Sequence, residues 1–472
     1  MIRRNLAYTS AGEAASKAII FVLFVYLAKK LGPLDYGYFS LAVTFYLMGR
    51  TISLNSLDMH GIRLISSLRD DAGIRSVLSD INMLRALFSI VVCVTLTAAI
   101  FFLYEERAVR WITIGFTLCL IPATFISEWF FNGRQLMFYS ALSQVGSWTS
   151  FMALVLLAPR LSETYSYYLP AAFFASLALM AVAMHIVMRK LVGGFTYRFS
   201  LKEASSIFME TGYINLVNIF GYLINSAGIL VLSFSNSPDL GYYAVALQIC
   251  TMLILGGSVI YRVTLPHLNT VWRESESEFN GKVGFVTRLL GFAAIVAVFY
   301  LLAYSEPFIR AFWGAEYLRV APVVKVLSVI IFFGYYMMGF AQGLFILGKD
   351  RLLMKIYLFQ LALTLALTAG MFRYFGLMGV AAALSISYFV GFIVFMASFH
   401  RSGNYEWRHA LKVMVSGGLL ITFLYWAFDG NIPFAFILIF PAVYFAACVL
   451  LKVMSLADLK MIFPGRPLTL GK

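Results

Sequence analysis

Apolar runs long enough to cross a bilayer follow one another along almost the whole chain, separated by short polar connections. A spanning helix needs roughly 20 apolar residues, and that requirement leaves few folds open. In hydrocarbon every backbone N–H and C=O must be paired inside the protein, so only helices or a closed barrel can cross. The runs are continuous rather than alternately apolar and polar, which selects helices. Composition agrees: 61% of the 472 residues are hydrophobic and only 12% are charged, against about 45–50% and about 25% in soluble domains.

An all-α polytopic membrane protein of about fourteen spans is therefore expected. The first six run approximately Ser10–Lys30, Gly37–Leu57, Met83–Leu103, Trp111–Phe131, Ala141–Ala158 and Tyr167–Met188. The next six run Gly212–Phe234, Gly241–Val263, Leu289–Tyr304, Val323–Leu347, Leu353–Met371 and Met378–Phe399. Two more follow at Leu411–Phe428 and Pro433–Leu451. The first ten residues carry two arginines, and no small-residue cleavage site closes a short apolar core, so the first run is expected to stay as a spanning helix.

The formal net charge is +14. In a soluble protein that excess would suggest nucleic acid. Here the cations lie mostly in alternate connections, among them Arg63, Arg69 and Arg75, then Arg189 and Lys190, then Lys349, Arg351 and Lys355. That pattern reports membrane orientation, and it puts both termini in the cytoplasm. Lys29 and Lys30 are the one pair that goes against it. Cys93, Cys119, Cys250 and Cys448 sit singly in apolar runs, with neither metal-ligand spacing nor a disulfide framework.

A short phrase is written twice. Asp35–Ala42 reads DYGYFSLA and Asp239–Ala246 reads DLGYYAVA, each between one apolar run and the next. Two softer matches extend it: Phe130-x-x-Gly133-Arg134 against Phe345-x-x-Gly348-Lys349, and Ala171–Ser176 (AAFFAS) against Ala382–Ser387 (AALSIS). Each pair lies six spans apart. Six is even, so the two copies enter the bilayer in the same sense, which is the parallel kind of transporter repeat. The expected organisation is one lobe in residues 1–195, a second in 196–403, and an accessory helix pair with a tail in 404–472. Asp35 and Asp239 stand where helix N-caps would be, beside the turn signals Gly32-Pro33 and Ser237-Pro238.

Ionisable groups at membrane depth are costly, and they usually face a water-filled cavity or a partner. Glu13 and Lys17 are four apart on the first span and share a face. Arg50 lies in the second span, with Asn55 and Asp58 towards its exit. Arg85, Glu128, His185, Glu210 and Arg262 mark the third, fourth, sixth, seventh and eighth. Asn215, Asn218, Tyr222 and Asn225 repeat at helical spacing on the seventh. Such a row serves either to bond helix to helix or to line a cavity. Arg85, His185 and Arg262 lie near span ends, where long side chains can reach water. Arg50 is about six residues, or about 9 Å, from its exit.

No connection is long enough to hold a nucleotide-binding domain. Gly343–Asp350 approaches a P-loop but lacks the Ser or Thr after lysine, and an apolar span fills its interior. No metal cluster, catalytic triad or carboxylate dyad stands out, so neither a cofactor nor an enzyme activity is expected. The chemistry left is transport.

The chain resembles the polysaccharide-transporter family, the O-antigen and capsule flippase branch of the multidrug/oligosaccharidyl-lipid/polysaccharide exporter superfamily. Gly12-Glu13 with Ser16-Lys17, Leu31-Gly32-Pro33-x-x-Tyr36-Gly37, Phe130-x-x-Gly133, Gly241-Tyr242-Tyr243 and Trp313–Tyr317 carry the likeness. The resemblance implies two six-helix lobes around a cavity opened alternately to each side. It implies undecaprenyl-pyrophosphate-linked oligosaccharide as substrate, for O-antigen, capsule or exopolysaccharide synthesis at the bacterial inner membrane. A polysaccharide polymerase and a chain-length regulator are the protein partners such a role implies. Arg50, Arg85, Lys17 and Arg262 would meet the diphosphate, since guanidinium matches phosphate oxygens bidentately. Asn215, Asn218 and Asn225 would bond sugar hydroxyls, and Glu13 and Glu210 would couple transport to an ion. A multidrug exporter of the same fold is the alternative, which would prefer an acidic, aromatic cavity. A membrane-embedded glycan polymerase or ligase is a third reading, which the short outward connections disfavour.

Overall fold

The computed structural model describes residues 2–68, 70–157, 161–194, 201–235, 237–403 and 408–451, and among them there is no strand. The helices in chain order are α1 Ile2–Ser53, α2 Asn55–Ser67, α3 Asp71–Leu103, α4 Arg107–Leu118, α5 Leu120–Thr124, α6 Glu128–Gly133, α7 Met137–Leu156 and α8 Leu161–Val192. They continue as α9 Leu201–Leu232, α10 Asp239–Glu274, α11 Glu276–Phe312, α12 Val320–Leu327, α13 Val329–Ile346, α14 Asp350–Gly403, α15 Arg408–Ala427 and α16 Phe436–Leu450.

Eight helical stretches are long and apolar enough to cross a membrane, and two of them hold two spans each. The stretch Tyr8–Ser53 has 46 residues, about twice what a bilayer needs. It breaks at Gly32, whose φ of 75° and ψ of 172° lie outside the helical region. Only glycine reaches such a backbone without strain, and Pro33 then suits the first position of the next helix. Gly376, at φ 54° and ψ −135°, divides α14 in the same way. Helices α4, α5 and α6 form one broken span, and α12 and α13 another. With α7, α10, α15 and α16 added, the described chain carries the fourteen expected spans.

The chain divides into two compact units, Met1–Ala244 and Val245–Lys472. In the first, small residues let helices approach closely, as membrane bundles require. A methyl on Gly115 would come 2.6 Å from the Pro170 ring, and one on Gly12 would come 3.0 Å from the Ala141 backbone. Trp129, Phe130 and Phe131 of α6 are fully buried against Leu57 and Ile65 of α2, Leu78 and Ile81 of α3, and Met184 and Met188 of α8. In the second unit, tyrosines fasten the last two helices to α11. Tyr304 donates to the Pro433 carbonyl at 2.8 Å, Tyr425 to that of Leu302, and Tyr444 ties α16 to the Val413 carbonyl at 2.9 Å. Phe299 stacks on Phe440 at 3.7 Å between centroids.

Two motif readings need correction. Asp35 does not cap a helix: its Oδ1 accepts a 2.8 Å bond from Tyr165 on α8. The cap of α10 is Ser237, whose Oγ accepts from the Asp239 amide at 3.1 Å, because Pro238 takes the first helical position and pushes Asp239 inward. The paired F-x-x-G phrases also differ in job. Gly348 is left-handed at φ 68° and ends α13, with the Lys349 amide bonded back to Leu344 O. The same stop after α6 falls on Gln135 at φ 60°, two residues beyond Gly133. Gly133 serves packing instead, since a methyl there would meet Ile65 at 2.8 Å.

Candidate functional site

The polar residues of the first unit converge where its fourth span breaks. Helix α5 stops at Thr124, and Phe125–Ser127 leave the helical path before α6 restarts at Glu128. A break in hydrocarbon frees backbone carbonyls that must find donors. Arg85 of α3 supplies one: its Nη2 donates to Ile126 O at 3.3 Å. Its Nε lies 3.2 Å from Asp58 Oδ1, the side chains being 2% and 25% exposed. Among the described residues Arg85 is the one charged side chain that is fully buried. Its Nη1 has no hydrogen-bond acceptor.

Around this pair the hydroxyls form a chain. Thr124 donates to Ser89 Oγ at 2.7 Å, Ser89 to Ser53 Oγ at 3.3 Å, and Ser127 to Asn82 Oδ1 at 3.1 Å. Glu128, in the first turn of α6 where the helix dipole favours an acid, accepts from Ser143 Oγ at 2.8 Å and Gln144 Nε2 at 3.2 Å. Arg50 at the end of α1 is half-buried. It sits in the electrostatic field of Asp58 and Glu128, yet among the described residues it makes no ion pair. Two guanidiniums and two carboxylates thus share a low-dielectric neighbourhood, where interactions are stronger than in water. Three of the four charges are held by hydrogen bonds or an ion pair; Arg50 is not.

The seventh span gives a mixed picture. Tyr222 donates to Thr44 O at 2.8 Å, joining α9 to the second half of α1. Asn225 Nδ2 bonds Gly221 O of its own helix at 2.9 Å. Asn215 is half-buried and Asn218 exposed. On α1, Ser16 bonds Gly12 O at 2.8 Å, Glu13 is half-buried and Lys17 exposed. The side chains of Glu210 and Arg262 lie outside the described residues.

A family model described as polysaccharide biosynthesis protein matches residues 2–272. The chain belongs to this family. No curated protein sequence matches it. As a member of the polysaccharide biosynthesis family it has the fold of known carriers at very low identity. A structure of the lipid II flippase MurJ in an inward closed conformation superposes with a TM-score of 0.74 at 14% identity, over 94% of this chain and 99% of that one. An inward-facing multidrug resistance MATE family transporter of the MOP superfamily gives 0.66 at 13%, over 82% and 94%. MATE in complex with MaL6 gives 0.56 at 13%, over 85% and 96%.

Sequence reasoning did not join Asp58 or Glu128 to Arg85, nor find the Ser53–Ser89–Thr124 relay. The members of this cluster come from four spans, and pairing across spans leaves no mark in any one of them. The break in the fourth span did leave a signal: Pro122, then Ser127-Glu128, is a helix stop followed by a helix start.

Proposed function

We propose that this member of the polysaccharide biosynthesis family is a flippase, which carries undecaprenyl-pyrophosphate-linked oligosaccharide across the bacterial inner membrane by alternating access. The units would feed O-antigen, capsule or exopolysaccharide synthesis, and a polymerase with its chain-length regulator would consume them. The moving parts we assign are the lobes 1–195 and 196–403, with 404–472 accessory. The Lys/Arg-rich connections, and both termini, face the cytoplasm.

The observation that supports this reading most is Arg50. It is a cation within a membrane span, near two acids, and left without an ion-pair partner among the described residues. An intramembrane charge without a partner marks a ligand path, and the anion a polysaccharide pathway brings into the membrane is a diphosphate. Arg85, with one nitrogen lacking an acceptor, is the second contact we assign; Lys17 and Arg262 are further ones. Asn215, Asn218 and Asn225 are assigned to sugar hydroxyls, and Glu13 and Glu210 to ion coupling. Arg50→Ala is expected to abolish surface polysaccharide at normal membrane abundance. Arg50→Lys keeps the charge without the bidentate fork and should retain a fraction of the output. Full output from Arg50→Ala would remove this residue from the path.

The likeness to MATE transporters supports a multidrug exporter as the second reading. The partners of the acids weigh against it: Asp58 faces Arg85, and Glu128 is bonded by Ser143 and Gln144, so the charge left to a ligand is positive. Drug resistance on expression, without any effect on surface glycan, would reverse the order.

A further inference from the structure

The four charges around the break in the fourth span cancel, Arg50 and Arg85 against Asp58 and Glu128. Asp58 and Arg85 each lie in the field of the other three, and Arg50 lies in the field of both acids. Tyr46, one turn before Arg50 on α1, lies in the field of both Arg50 and Glu128, so Glu128 stands near the open guanidinium. All of these residues belong to the unit Met1–Ala244. Their number gives a ligand no sign to read. The sign it meets is decided by which charges already have partners.

The two acids are engaged in different ways. Asp58 faces a cation, with its Oδ1 3.2 Å from Arg85 Nε. Glu128 has a cation nearby, yet each of its oxygens takes a neutral donor from α7: Ser143 Oγ at 2.8 Å on Oε1 and Gln144 Nε2 at 3.2 Å on Oε2. Ser143 Oγ also lies 2.9 Å from Ser140 O, but the carboxylate is charged and is the stronger acceptor. A carboxylate only accepts, so Gln144 must turn its amide nitrogen towards it. Ser143 is fully buried and Gln144 half-buried. Ordinary bonds between membrane helices join neutral groups, and a charged side chain there is costly. An acid tied down by neutral donors beside an open arginine is therefore more than helix-to-helix bonding requires.

We propose that Ser143 and Gln144 set the sign of this site: by holding Glu128 on α7 they keep it off Arg50, and the guanidinium stays open to an anion. They are positioning residues, since they touch the acid and not the ligand. Arg85 does the same for Asp58, so both acids are withdrawn and one cation is left. This rests on the diphosphate reading of Arg50 and adds to it what makes the site select an anion. With the two donors gone, Glu128 keeps its charge among apolar spans, and the cation near it without an ion-pair partner among the described residues is Arg50. A pair between them would leave an anion nothing to bind.

The first test uses the full chain in cells. Ser143→Ala/Gln144→Leu should cut surface glycan about tenfold or more at normal membrane abundance, because a ligand then binds only the unpaired fraction of Arg50. Adding Glu128→Gln removes the competing charge and should restore most of the output. A packing role for the two α7 side chains would not be mended by a further change at Glu128, so a loss without restoration overturns the proposal. Full output from Ser143→Ala/Gln144→Leu, where Arg50→Ala alone abolishes it, overturns it as well. If the pair of changes fails to accumulate, Gln144→Leu alone, which frees one oxygen of Glu128, carries the test.

The second test needs no substrate. In purified full-length protein, the melting temperatures of Arg50→Ala, Glu128→Gln and the two together give the coupling between these residues. In the native chain it should stay below about 1 °C, and in the Ser143→Ala/Gln144→Leu background it should rise to about 2 °C or more, as a new ion pair predicts. No rise overturns the proposal whatever the glycan does. A rise together with full glycan output from Arg50→Ala would sink the diphosphate reading and leave the control of Glu128 standing.

Discussion

The interiors of the two units are built from similar helices and filled with different chemistry. In the first, Arg50, Asp58, Arg85 and Glu128 sit among apolar spans, around the break in the fourth. In the second, the polar side chains buried among the described residues are neutral, and charged groups bury single atoms only, Arg288 Nε and Asp350 Oδ1. Gln360, Thr364 and Thr368 line one face of α14, and Thr364 shares a 2.6 Å hydrogen bond with Ser387 of the same helix beyond its kink. Tyrosines do the rest, such as Tyr335 bonding Leu253 O at 2.5 Å. A duplicated scaffold keeps the packing rules of both copies, while among the described residues the fully buried charge, Arg85 with its partner Asp58, stands in one. Ordinary neutral bonds between membrane helices are worth about 1 kcal/mol, whereas a buried charge left without its partner costs several. The first unit should therefore be the fragile one, and the one whose polar residues cannot be exchanged freely.

Removing the carboxylate at Asp58 tests that contrast most severely. Asp58→Asn leaves the Arg85 guanidinium in the bundle without its ion-pair partner, with neutral acceptors alone: the Ile126 carbonyl and the new amide oxygen. Breaking a buried pair typically costs 3–5 kcal/mol; Asp58 keeps a quarter of its exposure, so about 3 kcal/mol is expected. Thermal unfolding in detergent would read it. The double change Asp58→Leu with Arg85→Met should recover most of the lost stability, because apolar replacement of a whole pair is often neutral. If both variants melt alike, the charge pair is not what distinguishes this interior.

The two F-x-x-G phrases give a comparison of middle size. Gly133→Ala forces a methyl against Ile65 and the Ile62 carbonyl at 3.2 Å, an overpacking expected to cost about 2 kcal/mol. Gly348→Ala has open space around it but a φ of 68°, which costs an alanine about 1 kcal/mol. The order of the two melting temperatures is the test: equal losses would mean that the two glycines do the same work after all.

These cases also mark what could be read from residues alone. The fourteen spans were legible because hydropathy is a local property that the bilayer reads directly. The DxGY repeat was visible as text, but its reason was not. Asp35 looked like a cap and bonds Tyr165, 130 positions away, and Gly37 looked like turn chemistry and meets Gly241. Arg50 stood out by depth in a single helix. Arg85 looked like a snorkelling residue near a span end, because nothing local announces that Asp58 and a freed carbonyl wait for it on other helices.

The smallest expected effect falls on the neutral side. Thr364→Val keeps the shape of the side chain but removes the hydroxyl that bonds Ser387 and the Gln360 carbonyl of its own helix, and the Gln360 side chain already leaves one oxygen without a partner. A neutral bond contributes about 0.5–1.5 kcal/mol; the Gln360 carbonyl belongs to the helix ladder and Ser387 can turn its hydroxyl to its own turn, so a loss of about 1 kcal/mol is expected. Glycan output should stay normal. That outcome, set beside the loss expected for Asp58→Asn, would place function and fragility together in the first unit. An inactive but well-folded Thr364→Val would instead mean that the neutral stripe of α14 takes part in transport, and the division of labour between the two interiors would have to be given up.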